Sequence, residues 1–127
     1  HGAIGATLLS SAEQILGARQ EHVAALGVSR KDDPDRVLEQ ARALVARLDS
    51  GAGVLVLTDM FGATPCNVAA RLLADGRVEG VSGISLPMLV RVLSGRNGSL
   101  PAAVQRALSG GAEGLVHMNT DSCGAKR

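Results

Sequence analysis

The hydrophobic residues of this chain alternate between helical spacing and short apolar runs. Helical spacing covers five stretches, residues 4–16, 34–48, 65–74, 86–93 and 99–108. Gly17 and Gly51 are placed to end the first two helices, and Gly110 with Gly111 to end the last. Short apolar runs typical of strands occupy residues 23–28, 54–58, 78–84 and 115–118. This alternation predicts an α/β fold with a doubly wound, mainly parallel sheet and helices on both faces.

The strand predicted at residues 54–58 leads into a connection that carries several chemical groups. Asp59 follows the strand, and Gly62 and Ala63 form a small-residue turn. Thr64 can cap a helix that begins at Pro65. Open α/β sheets bind their ligands at such a position, at the carboxyl end of a strand and beside the amides of a helix N-terminus. Asp59 could serve only as an N-cap, but Thr64 is better placed for capping, which favours a functional carboxylate.

Composition and charge narrow the classes of function. The 127 residues suit one domain, and a single Phe with no Trp or Tyr predicts an aliphatic core. The net charge of +1, with no basic run interleaved with aromatic residues, argues against nucleic acid as a partner. No apolar stretch approaches the roughly 20 residues that span a bilayer, so we expect a cytoplasmic protein. The two cysteines, Cys66 and Cys123, lack metal-ligand spacing and are expected to be free thiols, and neither a metal nor a cofactor is predicted.

The sequence contexts of the three histidines are not equally suited to a catalytic role. Structural or surface roles are favoured for His22, at the start of a strand-like run, and for His117, which lies in one. His1 could be the remnant of a purification tag or a flexible end. It is followed, however, by a glycine-bearing turn that leads straight into an amphipathic helix from Ile4, where backbone amides and the helix dipole favour an anion.

Together, His1 and Asp59 suggest a definite mechanism. A carboxylate that accepts the proton of one ring nitrogen fixes the tautomer of the imidazole and leaves the other nitrogen as a nucleophile. That nitrogen could take a phosphoryl group, whose oxygens would meet Thr64 and the backbone amides around Gly62 and Ala63.

Three segments of the chain resemble the signature segments of a known family, the mannose-family (fructose/mannose/sorbose) enzyme IIA domain of the bacterial phosphoenolpyruvate-dependent sugar phosphotransferase system. They are His1-Gly-Ala-Ile-Gly-Ala-Thr-Leu-Leu-Ser-Ser-Ala12, Asp59-Met-Phe-Gly-Ala-Thr-Pro-Cys-Asn67 and Val81-Ser-Gly-Ile-Ser-Leu-Pro-Met-Leu89. The likeness covers nearly the whole chain, with the segments in the family's order. It implies a homodimer in which the last strand is exchanged between subunits.

The same resemblance implies a function. His1 would accept a phosphoryl group from the phosphohistidine of the carrier protein HPr and pass it to a IIB component for sugar uptake, with peripheral association with a membrane sugar permease. Asp59 would orient His1, and Thr64 stands where the family has a serine or threonine that binds the phosphate. We therefore expect a single IIA-like domain over residues 1–119 and a polar tail over residues 120–127.

The family places a strand directly before the histidine that accepts the phosphate. Losing the central strand of a parallel sheet would expose two strand edges, so we expect about eight more residues upstream of His1. Ser85 stands where sugar transporters of the family often have asparagine, and Cys66 replaces a common large apolar residue. Neither position identifies a sugar.

Other functions compete with phosphoryl transfer. Phosphorylation of His1 could switch the binding of partner proteins in a regulatory module. The α-amine and imidazole of His1 could also chelate copper, although no further histidine ligand is evident. A nucleotide-binding protein would fit the architecture, but no GxGxxG follows a strand and no GxxxxGK[ST] occurs.

Overall fold

The computed structural model describes residues 1–119, which form five helices and two strands. In chain order these are α1 (Ile4–Leu16), α2 (Pro34–Leu48), β1 (Val54–Thr58), α3 (Thr64–Ala70), β2 (Val78–Ser82), α4 (Leu86–Ser94) and α5 (Leu100–Glu113). The α/β fold with a parallel sheet is confirmed. The predicted polar tail, residues 120–127, lies outside the described residues.

The sheet brings the carboxyl ends of β1 and β2 to the same edge. The strands run parallel, with Val54 opposite Val78 and Thr58 opposite Ser82, and α3 forms the crossover between them. The carbonyl of Thr58 accepts hydrogen bonds from the amides that follow β2, those of Gly83 at 2.9 Å and Ile84 at 3.0 Å. These bonds fix the point at which β1 ends and the connection with Asp59 begins.

Helices cover both faces of the sheet. On one face α3 packs against the strands and α2 packs against α3. On the other face α5 packs against both strands, α4 packs on α5, and α1 packs on α4. The buried side chains of both layers are aliphatic except for Met88, and Ala12 and Ala107 are fully buried where helices meet. Small side chains at these positions allow the helices to approach closely.

Local capping signals account for the starts of three helices. Asp33 caps α2 by accepting from the amide of Asp35, and Ser85 and Ser99 cap α4 and α5 in the same way. A proline occupies the first turn of each helix, where its missing N–H costs nothing. The predicted start of α2 at residue 34 is therefore confirmed.

The predicted bounds of α3 are wrong at both ends. Ala63 occupies the N-cap position, so Thr64 is the first helical residue and no side chain caps the helix. The helix ends at Ala70 rather than at residue 74, because Ala74 forms an antiparallel bridge with Val78. The chain turns back on itself here to start β2.

The predicted end of α5 at Gly110 and Gly111 is also wrong, since the helix continues to Glu113. Gly110 is buried where α5 crosses α4, and a Cβ at this position would lie 3.1 Å from Cβ of Arg91 and 3.2 Å from Cα of Met88. A glycine inside a helix costs only about 1 kcal/mol relative to alanine. The close packing of α5 on α4 therefore outweighs the low helix propensity of Gly110 and Gly111.

Two runs predicted as strands form none. Residues 23–28 belong to no strand, and together with β1 they line an apolar channel of about 240 Å³. A strand needs a hydrogen-bonded neighbour, and the channel separates these residues from the nearest one. Residues 115–118 form no strand within this single chain, and their exchange between the subunits of a dimer stays a prediction.

The channel lies along one edge of β1. All five residues of β1 are only half-buried, although the helices cover the sheet on both faces. Apolar side chains from α1, α2, β1 and residues 23–28 line most of the channel, and His1 and Asp59 are among its few polar lining residues. The strand expected upstream of His1 would fit this space and pair with β1, which stays a prediction.

An extension that precedes His1 tests this idea. Five consecutive β-branched residues added before His1 should enter the channel, pair with β1 and bury apolar surface. A Gly/Ser extension of the same length is the control. We expect the apolar extension to raise Tm by more than about 4 °C over the control, because 1 kcal/mol shifts Tm by about that amount in a domain of this size. Equal Tm values, with no added hydrogen-exchange protection in β1, would contradict the prediction.

The turn between α2 and β1 depends on Asp49. Its Oδ1 accepts from the amides of Gly51 at 2.8 Å and Gly53 at 3.1 Å. These two hydrogen bonds, with a smaller contribution from the Arg77 guanidinium 3.9 Å away, hold the pKa of the Asp49 carboxyl below its ordinary value. Both glycines have positive φ, 107° at Gly51 and 93° at Gly53.

Substitution of these two glycines separates backbone strain from steric overlap. A Cβ at Gly53 would lie 2.7 Å from the Arg77 carbonyl oxygen and 2.8 Å from Cδ2 of Leu100, whereas a Cβ at Gly51 meets nothing within 4 Å. We expect Gly51→Ala to lower the free energy of unfolding by about 1 kcal/mol and Gly53→Ala by about 3 kcal/mol. Urea titration measures both values, and equal losses would contradict the argument.

Candidate functional site

The structure brings His1 and Asp59 into direct contact. Nδ1 of His1 lies 2.9 Å from each carboxylate oxygen of Asp59, and the backbone nitrogen of His1 lies 2.6 Å from Oδ2. The Asp59 side chain is 13% exposed and the His1 side chain 46% exposed. The carboxylate is therefore held within the fold, while the imidazole reaches solvent.

This contact decides the tautomer of His1. An ionised carboxylate only accepts hydrogen bonds, so Nδ1 must carry a proton and donate it. In the neutral ring the lone pair then belongs to Nε2, on the side of the imidazole away from Asp59. The site thus presents a nucleophilic nitrogen whose orientation is fixed by a carboxylate that is mostly shielded from solvent.

Asp59 owes its position to β1. It is the residue after Thr58, whose carbonyl is held by two amides beyond β2. The predicted alternative role, an N-cap for the next helix, is not what the structure shows, because Ala63 occupies that position. The carboxylate is free to bind His1 instead.

His1 owes its position to a turn that packs against residues 23–28. The His1 carbonyl accepts from the amide of Ile4 at 3.2 Å, and the amide of Gly2 donates to the carbonyl of Val28 at 2.9 Å. At Gly27 the two segments approach so closely that a Cβ would lie 2.6 Å from the carbonyl oxygen of Gly2. Gly27 therefore determines how near the His1 turn can lie to its neighbour.

Gly27 is the positioning residue that the sequence interpretation missed. A single glycine inside an apolar, strand-like run signals close approach of another backbone. The apolar residues of the run at 23–28 dominate its pattern, and spacing does not identify the partner backbone at Gly2.

The three residues predicted to bind phosphate lie on the connection that begins with Asp59. Gly62 and Ala63 precede α3, and Thr64 is its first residue, with an exposed side chain. Their backbone amides belong to the start of the helix, where partial positive charge accumulates. Cys66, two residues further on, is a half-buried free thiol, as predicted, whereas Cys123 lies outside the described residues.

The remaining candidates do not join the site. His22 is exposed, in a left-handed backbone conformation with φ of 57°, and His117 lies beyond α5. Within residues 1–119 no group of three His, Cys, Asp or Glu side chains is placed to hold a metal ion. The amine and Nδ1 that a copper chelate at His1 would use both contact Asp59.

No helix among residues 1–119 combines the length and the apolar character needed to cross a membrane.

Comparison with known proteins gives a consistent result. The sequence profile of the family described as "PTS system fructose IIA component" matches residues 1–108. The chain is 35% identical over 118 residues to the PTS system mannose-specific EIIAB component of Escherichia coli (strain K12), which covers 91% of this chain and 36% of that protein. It is 31% identical over 95 residues to the PTS system fructose-specific EIIA component of Bacillus subtilis (strain 168), covering 74% of this chain and 64% of that protein. The chain thus spans about a third of the E. coli relative.

Solved structures share the fold. A crystal structure of phosphotransferase system component EIIA from Streptococcus agalactiae superposes with a TM-score of 0.83 at 28% identity, covering 95% of this chain and 94% of that one. The PTS IIA protein associated with the fucose utilization operon of Streptococcus pneumoniae gives a TM-score of 0.78 at 29% identity, covering 94% and 89%. The resemblance predicted from the three segments is confirmed: the chain belongs to the PTS fructose IIA component family.

Proposed function

We propose that this protein is a phosphotransferase that carries a phosphoryl group on His1. It accepts the group from the phosphohistidine of HPr and passes it to a IIB component for sugar uptake. The observation that carries the proposal is the contact of His1 Nδ1 with both oxygens of Asp59 at 2.9 Å, which leaves Nε2 as the nucleophile. Membership of the PTS IIA family supports it.

The proposed transfer is a displacement at phosphorus. Nε2 of His1 attacks the phosphorus, the bond between phosphorus and the donor's ring nitrogen breaks, and its electron pair returns to the donor imidazole. The His1 ring keeps its Nδ1 proton and becomes positively charged. Asp59, 2.9 Å away, offsets that charge, so the carboxylate both orients the nucleophile and stabilises the product.

We assign Gly62, Ala63 and Thr64 to the phosphoryl oxygens. Their support is position, since they lie on the same connection as Asp59 and at the start of α3. Backbone amides at such a site and the exposed Thr64 hydroxyl are suitable donors to an anion. The same proposal includes a homodimer, a cytoplasmic location and peripheral association with a membrane sugar permease.

Phosphorylation assays test the assignment of His1 and Asp59. With phosphoenolpyruvate, the general phosphotransferase enzyme and HPr, the wild-type protein should gain one acid-labile phosphoryl group on Nε2, measured by intact mass and nitrogen NMR. We expect Asp59→Asn to slow the reaction at least about 100-fold, because an amide can donate to Nδ1 and stabilise the wrong tautomer. Asp35→Asn, at an exposed ion pair with Arg71, is the control and should react normally.

The same adduct on a His1→Ala variant would refute the proposal. Whether His1 then passes its phosphoryl group to a IIB component distinguishes a transport role from a regulatory role. Loss of the phosphoryl group to a IIB component supports a carrier, whereas a stable phosphoprotein that changes its binding partners supports the regulatory module.

The position of His1 can be tested through Gly27. Gly27→Ala places a Cβ 2.6 Å from the Gly2 carbonyl oxygen and should displace the His1 turn. Because a misplacement of about 1 Å can cost about 100-fold in rate, we expect a loss of that order in His1 phosphorylation. Gly5→Ala is the matched control, since its Cβ makes an ordinary contact of 3.6 Å with Ala25. Normal phosphorylation of a folded Gly27→Ala protein would contradict the argument.

A further inference from the structure

A pair of hydroxyl side chains bridges β1 and β2 directly before the site. Thr58 and Ser82 lie opposite each other in the parallel register, and Oγ1 of Thr58 donates to Oγ of Ser82 at 2.9 Å. Both residues are half-buried. Hydroxyl groups that are shielded from water need a partner, because the hydration that they lose is offset only by another hydrogen bond. The transfer mechanism described above gives neither hydroxyl a task.

The hydroxyl pair completes a three-point hold on Thr58. The carbonyl of Thr58 accepts from the amides of Gly83 at 2.9 Å and Ile84 at 3.0 Å, while its side chain donates to Ser82. Three consecutive residues at the end of β2 thus hold one residue of β1 by its backbone and its side chain together. Because the next residue is Asp59, this hold fixes the backbone from which the carboxylate extends.

The segment that holds Thr58 also contacts the helix that begins beside His1. The side chain of Ile84 packs against the buried cluster that includes Ala12 of α1, and α1 begins three residues after His1. Residues 82–84 therefore contact both the strand end that leads into Asp59 and the helix next to the imidazole. The hydroxyl pair lies where it can fix the position of the carboxylate relative to the ring.

The pair lies on the face of the sheet that α3 covers. Leu55 and Leu57 pack against the cluster formed with α4 and α5, and successive side chains of a strand point to opposite faces. Thr58 therefore points toward α3, the helix that the connection from Asp59 enters. Apolar side chains at these two positions would pack in several arrangements of similar energy, whereas a hydrogen bond has a preferred direction.

We propose that Thr58 and Ser82 are positioning residues for the transfer of the phosphoryl group to His1, and that they act through Asp59. This inference rests on the proposed function. The hydroxyl pair holds the end of β1 in the orientation in which both carboxylate oxygens lie 2.9 Å from Nδ1 of His1. Without the pair the strand end moves, and the Nδ1–H tautomer that leaves Nε2 as the nucleophile is less populated.

Kinetics and nitrogen NMR test the inference. Thr58→Val removes the hydroxyl and keeps a β-branched side chain of the same shape. It should lower kcat for phosphorylation by phosphorylated HPr about 10-fold and leave KM unchanged, because a small misplacement of an orienting group costs rate rather than binding. Nitrogen NMR of the protein alone should show a smaller fraction of the Nδ1–H tautomer at His1. Ser82→Ala should reproduce both changes, and Thr58→Ser, which keeps the hydroxyl, should behave as the wild type.

Double variants show whether Thr58 acts through Asp59. In an Asp59→Asn background, Thr58→Val should cause no further loss of rate, because the carboxylate that it positions is already gone. Thr58→Val combined with Ser82→Ala should be no slower than either single variant, because each one breaks the same hydrogen bond.

Ser99→Ala is the matched control. Its hydroxyl accepts from the amide of Ala102 at 3.3 Å and caps α5. This cap lies at the other end of the sheet, since Leu100 lies against Gly53, just before β1. Ser99→Ala should lower the stability of the protein without changing kcat or the tautomer of His1.

The outcomes are distinguishable. A wild-type kcat and tautomer population in Thr58→Val and Ser82→Ala overturn the positioning role. A further 10-fold loss, or about that, in the Asp59→Asn background also overturns it, because Thr58 would then act independently of the carboxylate. A wild-type protein that phosphorylated HPr does not modify overturns the proposed function instead. The tautomer comparison then still tests the hold on Asp59, because it needs no phosphoryl donor.

Discussion

The hydrogen bond between His1 Nδ1 and the Asp59 carboxylate joins two parts of the chain that are 58 residues apart, and the rest of the site depends on it. Asp59 is fixed because β1 ends at Thr58, where two amides beyond β2 hold the strand's last carbonyl. His1 is fixed because its turn packs on residues 23–28, where Gly27 permits a very close backbone approach. Both partners thus take their positions from backbone geometry, which is more rigid than that of side chains on flexible loops.

The two side chains of the site differ in their exposure to solvent, and each exposure suits a different task. The carboxylate, 13% exposed, lies where a reduced dielectric strengthens its hold on the imidazole. The imidazole, 46% exposed, remains within reach of another protein. A carrier that exchanges a phosphoryl group with other proteins needs both properties, since its nucleophile must be oriented before the partner arrives and accessible when it does.

Sequence signals correctly predicted the strands and helices that depend on interactions between residues close together in the chain. The run from Val54 ended by Asp59 predicted both the strand and the placement of the carboxylate, and helical spacing from residue 34 predicted α2, whose start is capped by Asp33. Spacing failed where tertiary contacts decide the outcome. Gly110 looked like a helix end but is the residue that lets α5 pack on α4. Residues 23–28 looked like a strand, yet a strand depends on a neighbour, and neighbours are not visible in local sequence. The contact of His1 with Asp59 could be proposed from chemistry and family resemblance, whereas its geometry required the fold.

The apolar channel beside β1 is lined in part by His1 and Asp59, yet its chemistry argues against a role in binding phosphate. Aliphatic side chains form most of its lining, and an anion that entered would lose its hydration without gaining donors. Such a lining suits another strand, whose backbone could pair with β1 while its side chains fill the space. A strand that entered along β1 and continued into His1 would tie the backbone nitrogen of His1 into the sheet. The orienting contact with Asp59 would then rest on three adjacent segments instead of two.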